Sequence, residues 1–151
     1  MKPSKVNKAQ LSAVTSKLPM FKTMTIPDRE QILHHARIWV AQSEETIIEK
    51  NAEENFLYVL LAGNATVHIE DGGPSVAVVL PGDLFGEMGF ILDEPRNTWI
   101  TAQETCILLR IDHQVMNKLT APVREKIKDL IIEKLAKSLT NANENLKTSK
   151  D

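Results

Sequence analysis

Seven short runs of β-favouring residues, separated by turn-forming residues, lie between positions 38 and 111. Gly63-Asn64 and the 71–74 segment Asp-Gly-Gly-Pro supply residues that tolerate positive φ, as tight hairpin turns require. Short strands at this spacing predict a sandwich or a roll. The runs are residues 38–40, 46–48, 56–61, 65–69, 76–80, 98–101 and 105–111.

Helical patterns flank this region on both sides. Apolar residues at three- and four-residue spacing precede Pro27, which opens a second striped segment. Asp112 can cap a short helix, and Pro122 lies near the start of a long amphipathic helix. The apolar stripe of that helix contains Ile127, Leu130, Ile131, Leu135, Leu139, Ala142 and Leu146.

These patterns predict one mainly β domain with flanking helices, built around a jelly-roll-like β-roll. Residues 1–37 form an N-terminal helical segment and residues 38–111 form the roll. Residues 112–151 form C-terminal helices and a polar end that frays.

Charge and composition limit the classes of partner. A net charge of -2 disfavours the basic face with which proteins bind nucleic acid. No apolar run reaches the roughly 18 residues of a membrane span, so no membrane partner is expected and the chain is expected to be cytoplasmic.

The single cysteine, Cys106, cannot form a disulfide within the chain or a multi-thiolate metal site, and we interpret it as a buried structural thiol.

The segment 82–102 carries the most specific chemistry. Gly86 permits close approach of a ligand to the backbone, and the apolar run that follows can form a helical turn whose first N–H groups bind an anion. Arg96, after Pro95, offers a planar fork of donors to two phosphate oxygens. Glu87 would repel phosphate, but it can accept a hydrogen bond from a sugar hydroxyl. A phosphate and a sugar hydroxyl together indicate a nucleotide.

This cassette resembles that of the cyclic nucleotide-binding domains found in bacterial catabolite activators, kinase regulatory subunits and gated channels. The sequences Phe-Gly-Glu-Met-Gly-Phe at 85–90 and Pro-Arg-Asn-Thr at 95–98 correspond to its two halves, and Trp99 has a counterpart in the catabolite activators. The resemblance extends from about Leu18 to Leu146 and includes the order helix, roll, helix.

The resemblance implies cAMP or cGMP as ligand and no other cofactor. It implies that Glu87 binds the ribose 2′-hydroxyl, that Arg96 binds the cyclic phosphate, and that Asn143 covers the base. Backbone N–H groups of residues 86–88 and 97–98 would complete the phosphate cradle. The ligand-binding residues so implied are Phe85, Gly86, Glu87, Met88, Arg96, Asn97, Thr98 and Asn143.

Three positions depart from the family pattern. Glu44 and Asn51 replace glycines near an early turn, and Asn51 can keep that turn because asparagine tolerates the left-handed conformation. Asn97 replaces the usual alanine, serine or threonine, and its amide leaves the purine preference open.

Alternatives from other classes have less support in the residues. Glu87 and Arg96 could form a structural ion pair in a nucleotide-independent dimerisation or scaffold domain. An enzyme is not expected, because neither Ser75 nor Thr105 lies in a nucleophile elbow and no catalytic residue stands out. The histidines are isolated or, at 34 and 35, point about 100° apart on a helix, so no metal site is predicted.

The predicted mechanism is regulatory. Ligand held by the cassette would shift the terminal helices, and an unknown effector protein would respond to that shift. The long C-terminal helix predicts a homodimer through a two-helix seam. No length remains in the sequence for a helix-turn-helix, a kinase or a channel segment, which favours action through another molecule.

Overall fold

The computed structural model describes residues 1–5 and 7–149, apart from the side chains of Lys8 and residues 147–149. The strands are β1 (Lys2–Pro3), β2 (Arg37–Ala41), β3 (Thr46–Ile48), β4 (Leu57–Ala62), β5 (Ala65–His68), β6 (Ser75–Val79), β7 (Leu84–Phe85), β8 (Trp99–Ala102) and β9 (Cys106–Ile111). The α-helices are α1 (Lys8–Thr15), α2 (Ile26–His35), α3 (Glu87–Leu92), α4 (His113–Lys118) and α5 (Ala121–Ser149), and a 3-10 turn covers Pro19–Phe21.

The strands form two antiparallel sheets that pack face to face. One sheet has five strands in the order β1-β2-β9-β4-β7, and the other has four in the order β3-β8-β5-β6. Helices cover the outer face of the five-stranded sheet. The predicted mainly β roll with flanking helices is therefore confirmed.

Strand β4 explains why the five-stranded sheet has apolar residues on both faces. Leu57, Val59 and Leu61 point into the core shared with the helices, whereas Tyr58 and Leu60 point into the core between the sheets. Successive side chains alternate between faces, so a strand buried on both sides needs an unbroken apolar run.

Local capping determines where two of the helices begin. The Thr25 hydroxyl accepts from the Asp28 backbone N–H while the Asp28 carboxylate accepts from the Thr25 N–H, which forms a capping box at the start of α2. The Asp112 carboxylate caps α4 by accepting from the Val115 N–H at 2.7 Å, as predicted.

Helix α5 has an anchored half and an exposed half. Val123, Ile127 and Ile131 are buried at four-residue intervals against the core. The side chains from 136 to 146 are exposed. The predicted helix is confirmed over the described residues, and residues 150 and 151 of the predicted polar end lie outside them.

The structure differs from the sequence prediction at the N-terminus. Lys2–Pro3 form a strand, with Lys2 opposite Val40 and Pro3 opposite Trp39 of β2. Two residues are too few to produce a recognisable alternation of apolar and polar side chains, so the pattern could not predict β1.

Both replacements of the family glycines adopt the left-handed conformation. Glu44 has φ 72° and Asn51 has φ 71°. The expectation that the turn survives at Asn51 is confirmed, and the same backbone shape is kept at Glu44 at a cost in strain.

The described helices include none that is both long enough and apolar enough to cross a bilayer. Over the same residues, no group of three or more histidine, cysteine, aspartate or glutamate side chains is arranged to hold a metal ion.

Candidate functional site

The cassette links the two sheets, because β7 belongs to the five-stranded sheet and β8 to the four-stranded sheet. Between them, Gly86 precedes α3 with φ 77°, a left-handed value that glycine adopts without strain. Helix α3 ends after one and a half turns at Asp93, whose N–H bonds to the Gly89 carbonyl at 3.1 Å. The first turn of α3 leaves N–H groups without acceptors inside the helix.

Arg96 is the central buried charge of the cassette, with only 5% of its surface exposed. Its Nη1 donates to the Gly86 carbonyl at 2.7 Å, and its Nη2 donates to the Phe56 carbonyl. The backbone of Arg96 bonds to Asn51 and Ala52 at 2.7 and 2.9 Å, which fixes its position against the loop before β4. Hydrogen bonds of both the side chain and the backbone of Arg96 therefore fix the position of its guanidinium.

The guanidinium of Arg96 keeps donors for another group. A guanidinium carries five N–H donors, and the two carbonyls use one each from Nη1 and Nη2. Its Nε is buried without a hydrogen-bond partner among the described residues, and the carboxylate of Glu54 lies 3.9 Å from it. A buried donor of this kind is costly unless an acceptor completes it.

Burial shifts the pKa values of Arg96 and Glu54 in opposite directions, because it disfavours the charged form of each. Loss of solvent lowers the pKa of Arg96, and the nearby Glu54 carboxylate opposes that change. Loss of solvent raises the pKa of Glu54, and Arg96 opposes it. Because an arginine side chain stays protonated even after a downward shift, Arg96 remains a cation at neutral pH.

Two glycines make room for this arginine. A Cβ at Gly89 would lie 2.6 Å from Nη1 of Arg96, and a Cβ at Gly86 would lie 2.9 Å from the Phe56 carbonyl oxygen. The Gly-x-x-Gly spacing at 86 and 89 therefore lets the guanidinium lie directly against α3.

Glu87 is the second buried charge, with 8% of its surface exposed. Its Oε2 lies 3.0 Å from Nζ of Lys134, which comes from α5 and also donates to the Leu84 carbonyl. Within the described part of the chain, Glu87 pairs with Lys134 and Arg96 lies near Glu54, so the predicted alternative of a Glu87–Arg96 structural pair is wrong.

A cavity of about 760 Å³ joins these groups. It has a cationic and an anionic side chain from the cassette on one side and α5 on the other. It can therefore accept an anion at Arg96 and a hydroxyl at Glu87. Its walls are residues 82–89 and 94–98 of the cassette, Ile48, Val67, Ala77, Val78, Val79 and Ile100 of the four-stranded sheet, Leu130, Glu133, Lys134 and Lys137 of α5, and Pro19, Met20 and Thr23.

The structure brings seven of the eight predicted ligand residues to this cavity: Phe85, Gly86, Glu87, Met88, Arg96, Asn97 and Thr98. It does not bring Asn143 there. Asn143 is exposed on α5 and does not line the cavity. It lies nine residues beyond Lys134, about 13 Å farther along the helix axis.

Sequence reasoning missed three groups at the site. These are the Lys134 ammonium, the Glu54 carboxylate and the Phe56 carbonyl. Lys134 carries a signal only in retrospect, because it follows the buried Ile127 and Ile131 on the side of α5 that meets the roll. Nothing in the local sequence distinguishes Glu54 from the neighbouring glutamate.

Comparisons with known proteins match the chain to one domain family. The family model for the cyclic nucleotide-binding domain matches residues 39–122, which include the whole cassette. A cGMP-dependent protein kinase from Eimeria tenella is 24% identical over 133 residues, 87% of this chain and 13% of the kinase. A cAMP-dependent protein kinase regulatory subunit from Colletotrichum orbiculare is 27% identical over 106 residues, 70% of this chain and 27% of the subunit.

A solved structure shares the fold. The catabolite activator protein of Thermus thermophilus superposes with a TM-score of 0.76 at 21% identity, covering 87% of this chain and 63% of that protein. The chain thus spans a small part of the curated relatives' length and somewhat under two thirds of the activator.

Proposed function

The chain belongs to the cyclic nucleotide-binding domain family, and we propose that it binds cAMP or cGMP in the cavity between the cassette and α5. The observation that carries this proposal is that the buried guanidinium of Arg96 and the buried carboxylate of Glu87 line one cavity. A cyclic phosphate joined to a ribose presents an anion and a hydroxyl to these two groups.

Phosphate recognition depends on Arg96 and the surrounding backbone. The cyclic phosphate carries one negative charge, which one buried guanidinium neutralises. Backbone N–H groups in the first turn of α3 and near Asn97 and Thr98 add donors at the same end of the cavity. A linear nucleotide would bring additional charge toward Glu87, so this arrangement favours the cyclic form.

The sugar and the base occupy the rest of the cavity in this proposal. The 2′-hydroxyl donates to the Glu87 carboxylate. The base lies along the apolar wall formed by Val67, Ala77 and Ile100. Asn97 and Thr98 lie at the cavity, and their polar groups can meet a base edge, so both cAMP and cGMP remain candidates.

Nucleotide binding has a regulatory rather than a catalytic role in this proposal. Helix α5 contacts the cassette and continues beyond the roll, so a change at the cavity can alter the position of its exposed half. An effector protein would respond to that change. The exposed half could also form a two-helix seam with a second copy, because its apolar residues keep a heptad spacing.

A nucleotide-independent scaffold is the second candidate function. It is favoured by the fact that both buried charges have protein partners in this structure: Arg96 donates to two carbonyls and Glu87 accepts from Lys134. A scaffold would keep these contacts permanently and would show no affinity for nucleotide.

Calorimetric titration with cAMP and cGMP separates these two functions, after mass spectrometry has shown that no nucleotide remains from purification. We expect saturable binding by the natural chain and its loss in Arg96→Ala. Arg124→Ala is the matched control, because Arg124 also donates to two backbone carbonyls but does not line the cavity. Absence of binding by the nucleotide-free natural chain would leave the scaffold function.

A further inference from the structure

Lys134 contacts the carboxylate that the proposed ligand requires. Its ammonium bridges Oε2 of Glu87, at 3.0 Å, and the backbone carbonyl of Leu84. All three residues line the same cavity. The contact between the ammonium and the carboxylate therefore lies at the cavity where the sugar of a nucleotide would bind.

The same contact ties α5 to the cassette. Glu87 and Lys134 are 47 positions apart in the sequence, and α3 and α5 do not share a turn or a strand pairing. Ile127 and Ile131 anchor the preceding turns in the apolar core, and the side chains from 136 onward are exposed as far as 146. Lys134 thus lies at the junction of the two halves of α5.

We propose that Lys134 and the nucleotide 2′-hydroxyl compete for Glu87, so that nucleotide binding releases Lys134 and frees the exposed half of α5. This inference rests on the proposed function, since it requires a ligand at Glu87. Release is possible because the Lys134 side chain is already 35% exposed and its four-carbon stem can turn the ammonium into water. The hydroxyl then supplies the hydrogen bond that the carboxylate loses.

Competition gives the cassette a direct influence on the helix. While Lys134 holds Glu87, α5 carries one more attachment after its last buried isoleucine. When a hydroxyl takes the carboxylate, that attachment is lost. The apolar contacts and the Lys126–Asp28 ion pair then anchor only the earlier turns of the helix. The ligand shifts the equilibrium between the attached and the released α5. The size of that shift is set by the difference between the free energies with which Glu87 binds the two donors.

Lys137 provides a matched control on the same helix. It lines the same cavity and carries the same charge, but its ammonium pairs with Glu133 at 3.0 Å. A general effect of positive charge in the cavity would appear in both lysine variants. Competition for Glu87 would appear only at Lys134.

The test is a set of calorimetric titrations of the natural chain, Lys134→Met and Lys137→Met with cAMP, cGMP and their 2′-deoxy analogues. We expect Lys134→Met to bind the ribose ligand about three- to fivefold more tightly. This gain in affinity corresponds to the free energy of one partly exposed ion pair. We expect the 2′-deoxy ligand to show no such gain, because it has no hydroxyl to compete. Lys137→Met should show no gain that depends on the 2′-hydroxyl, so any change in its affinity should be the same for the ribose and the 2′-deoxy ligands.

Three outcomes would overturn the proposal in distinguishable ways. Weaker binding by Lys134→Met would make Lys134 a ligand contact, and an equal gain for ribose and 2′-deoxy ligands would replace competition with simple crowding. No binding of any nucleotide by the natural chain would remove the proposed function as well.

Hydrogen exchange gives a second readout: amides of residues 132–140 should exchange faster with bound nucleotide in the natural chain, and already without nucleotide in Lys134→Met. Equal exchange in all these states would also contradict it.

Discussion

Gly89 lies so close to Arg96 that a Cβ at position 89 would be 2.6 Å from Nη1 of the guanidinium. No real Cβ contact is that short, so a side chain at this position must displace Arg96 or α3. The residue at position 89 of α3 therefore determines where the guanidinium of Arg96 can lie.

Gly89→Ala is therefore expected to weaken nucleotide binding about tenfold or more, the effect of losing one charged hydrogen bond. Alanine favours helix over glycine, so the substitution should not weaken α3 itself. Calorimetry measures the effect. Ile91→Ala is the control, since Ile91 is 47% exposed on the same helix and does not line the cavity. Unchanged affinity in Gly89→Ala would show that the position of Arg96 does not govern binding.

The strained turn at Glu44 predicts a stabilising substitution. Glu44 has φ 72°, which costs a residue with a Cβ about 1 kcal/mol or more, and its side chain is exposed. Glu44→Gly should raise the free energy of unfolding by about 0.5 kcal/mol, after the greater entropy of glycine in the unfolded chain is subtracted. Urea denaturation measures this change. Glu53→Gly, at an exposed position without positive φ, should be destabilising instead.

The ion pair between α2 and α5 predicts a pH-dependent part of the stability. Hydrogen bonds from the Lys126 ammonium and then from the Thr25 N–H lower the pKa of Asp28. Because the folded-state pKa lies below the unfolded value of about 3.9, the stabilisation is complete above about pH 5 and is lost as the pH falls through the folded-state value.

Asp28→Asn should accordingly be less stable than the natural chain by about 1 kcal/mol or less at pH 7, since the pair is partly exposed. The difference should shrink as the pH falls below 4. Urea denaturation at several pH values measures it. A difference that does not change between pH 7 and pH 3 would show that the carboxylate charge contributes nothing.

The exposed half of α5 predicts dimerisation through a helical seam. Leu139 and Ala142 are three residues apart, and Ile132 lies one heptad before Leu139. Ile132 and Leu139 are 63% and 64% exposed. Leu139→Glu should convert a dimer to a monomer in sedimentation equilibrium without changing the circular dichroism of the roll. Val14→Glu, at an exposed position on α1, should leave the assembly unchanged. A monomeric natural chain would contradict the seam.

Much of the fold could be predicted because it depends on local patterns. The apolar run of β4, the cap at Asp112 and the cassette from Gly86 to Arg96 all express their structural role within a few neighbouring residues. The two cores follow from the alternation along β4. Only the overall pattern of strands and turns was needed to expect a roll.

The contacts that complete the site could not be predicted in this way. Lys134 meets Glu87 only because α5 packs on the roll at one particular register, and Glu54 lies near Arg96 because the loop before β4 folds back on the cassette. Both depend on tertiary packing between distant segments. The same register leaves Asn143 outside the cavity, and its predicted contact with the base stays a prediction that would require α5 to move.

The most direct test of the account follows the side chain of Arg96 itself by nuclear magnetic resonance. With the arginine Nε–H signals assigned by substitution, saturating cAMP or cGMP should shift the Arg96 Nε–H and the backbone amide of Glu87, and should leave the Arg124 Nε–H in place. Nucleotide that binds without moving the Arg96 signal, or that moves no signal at all, would contradict the claim that Arg96 and Glu87 hold the ligand.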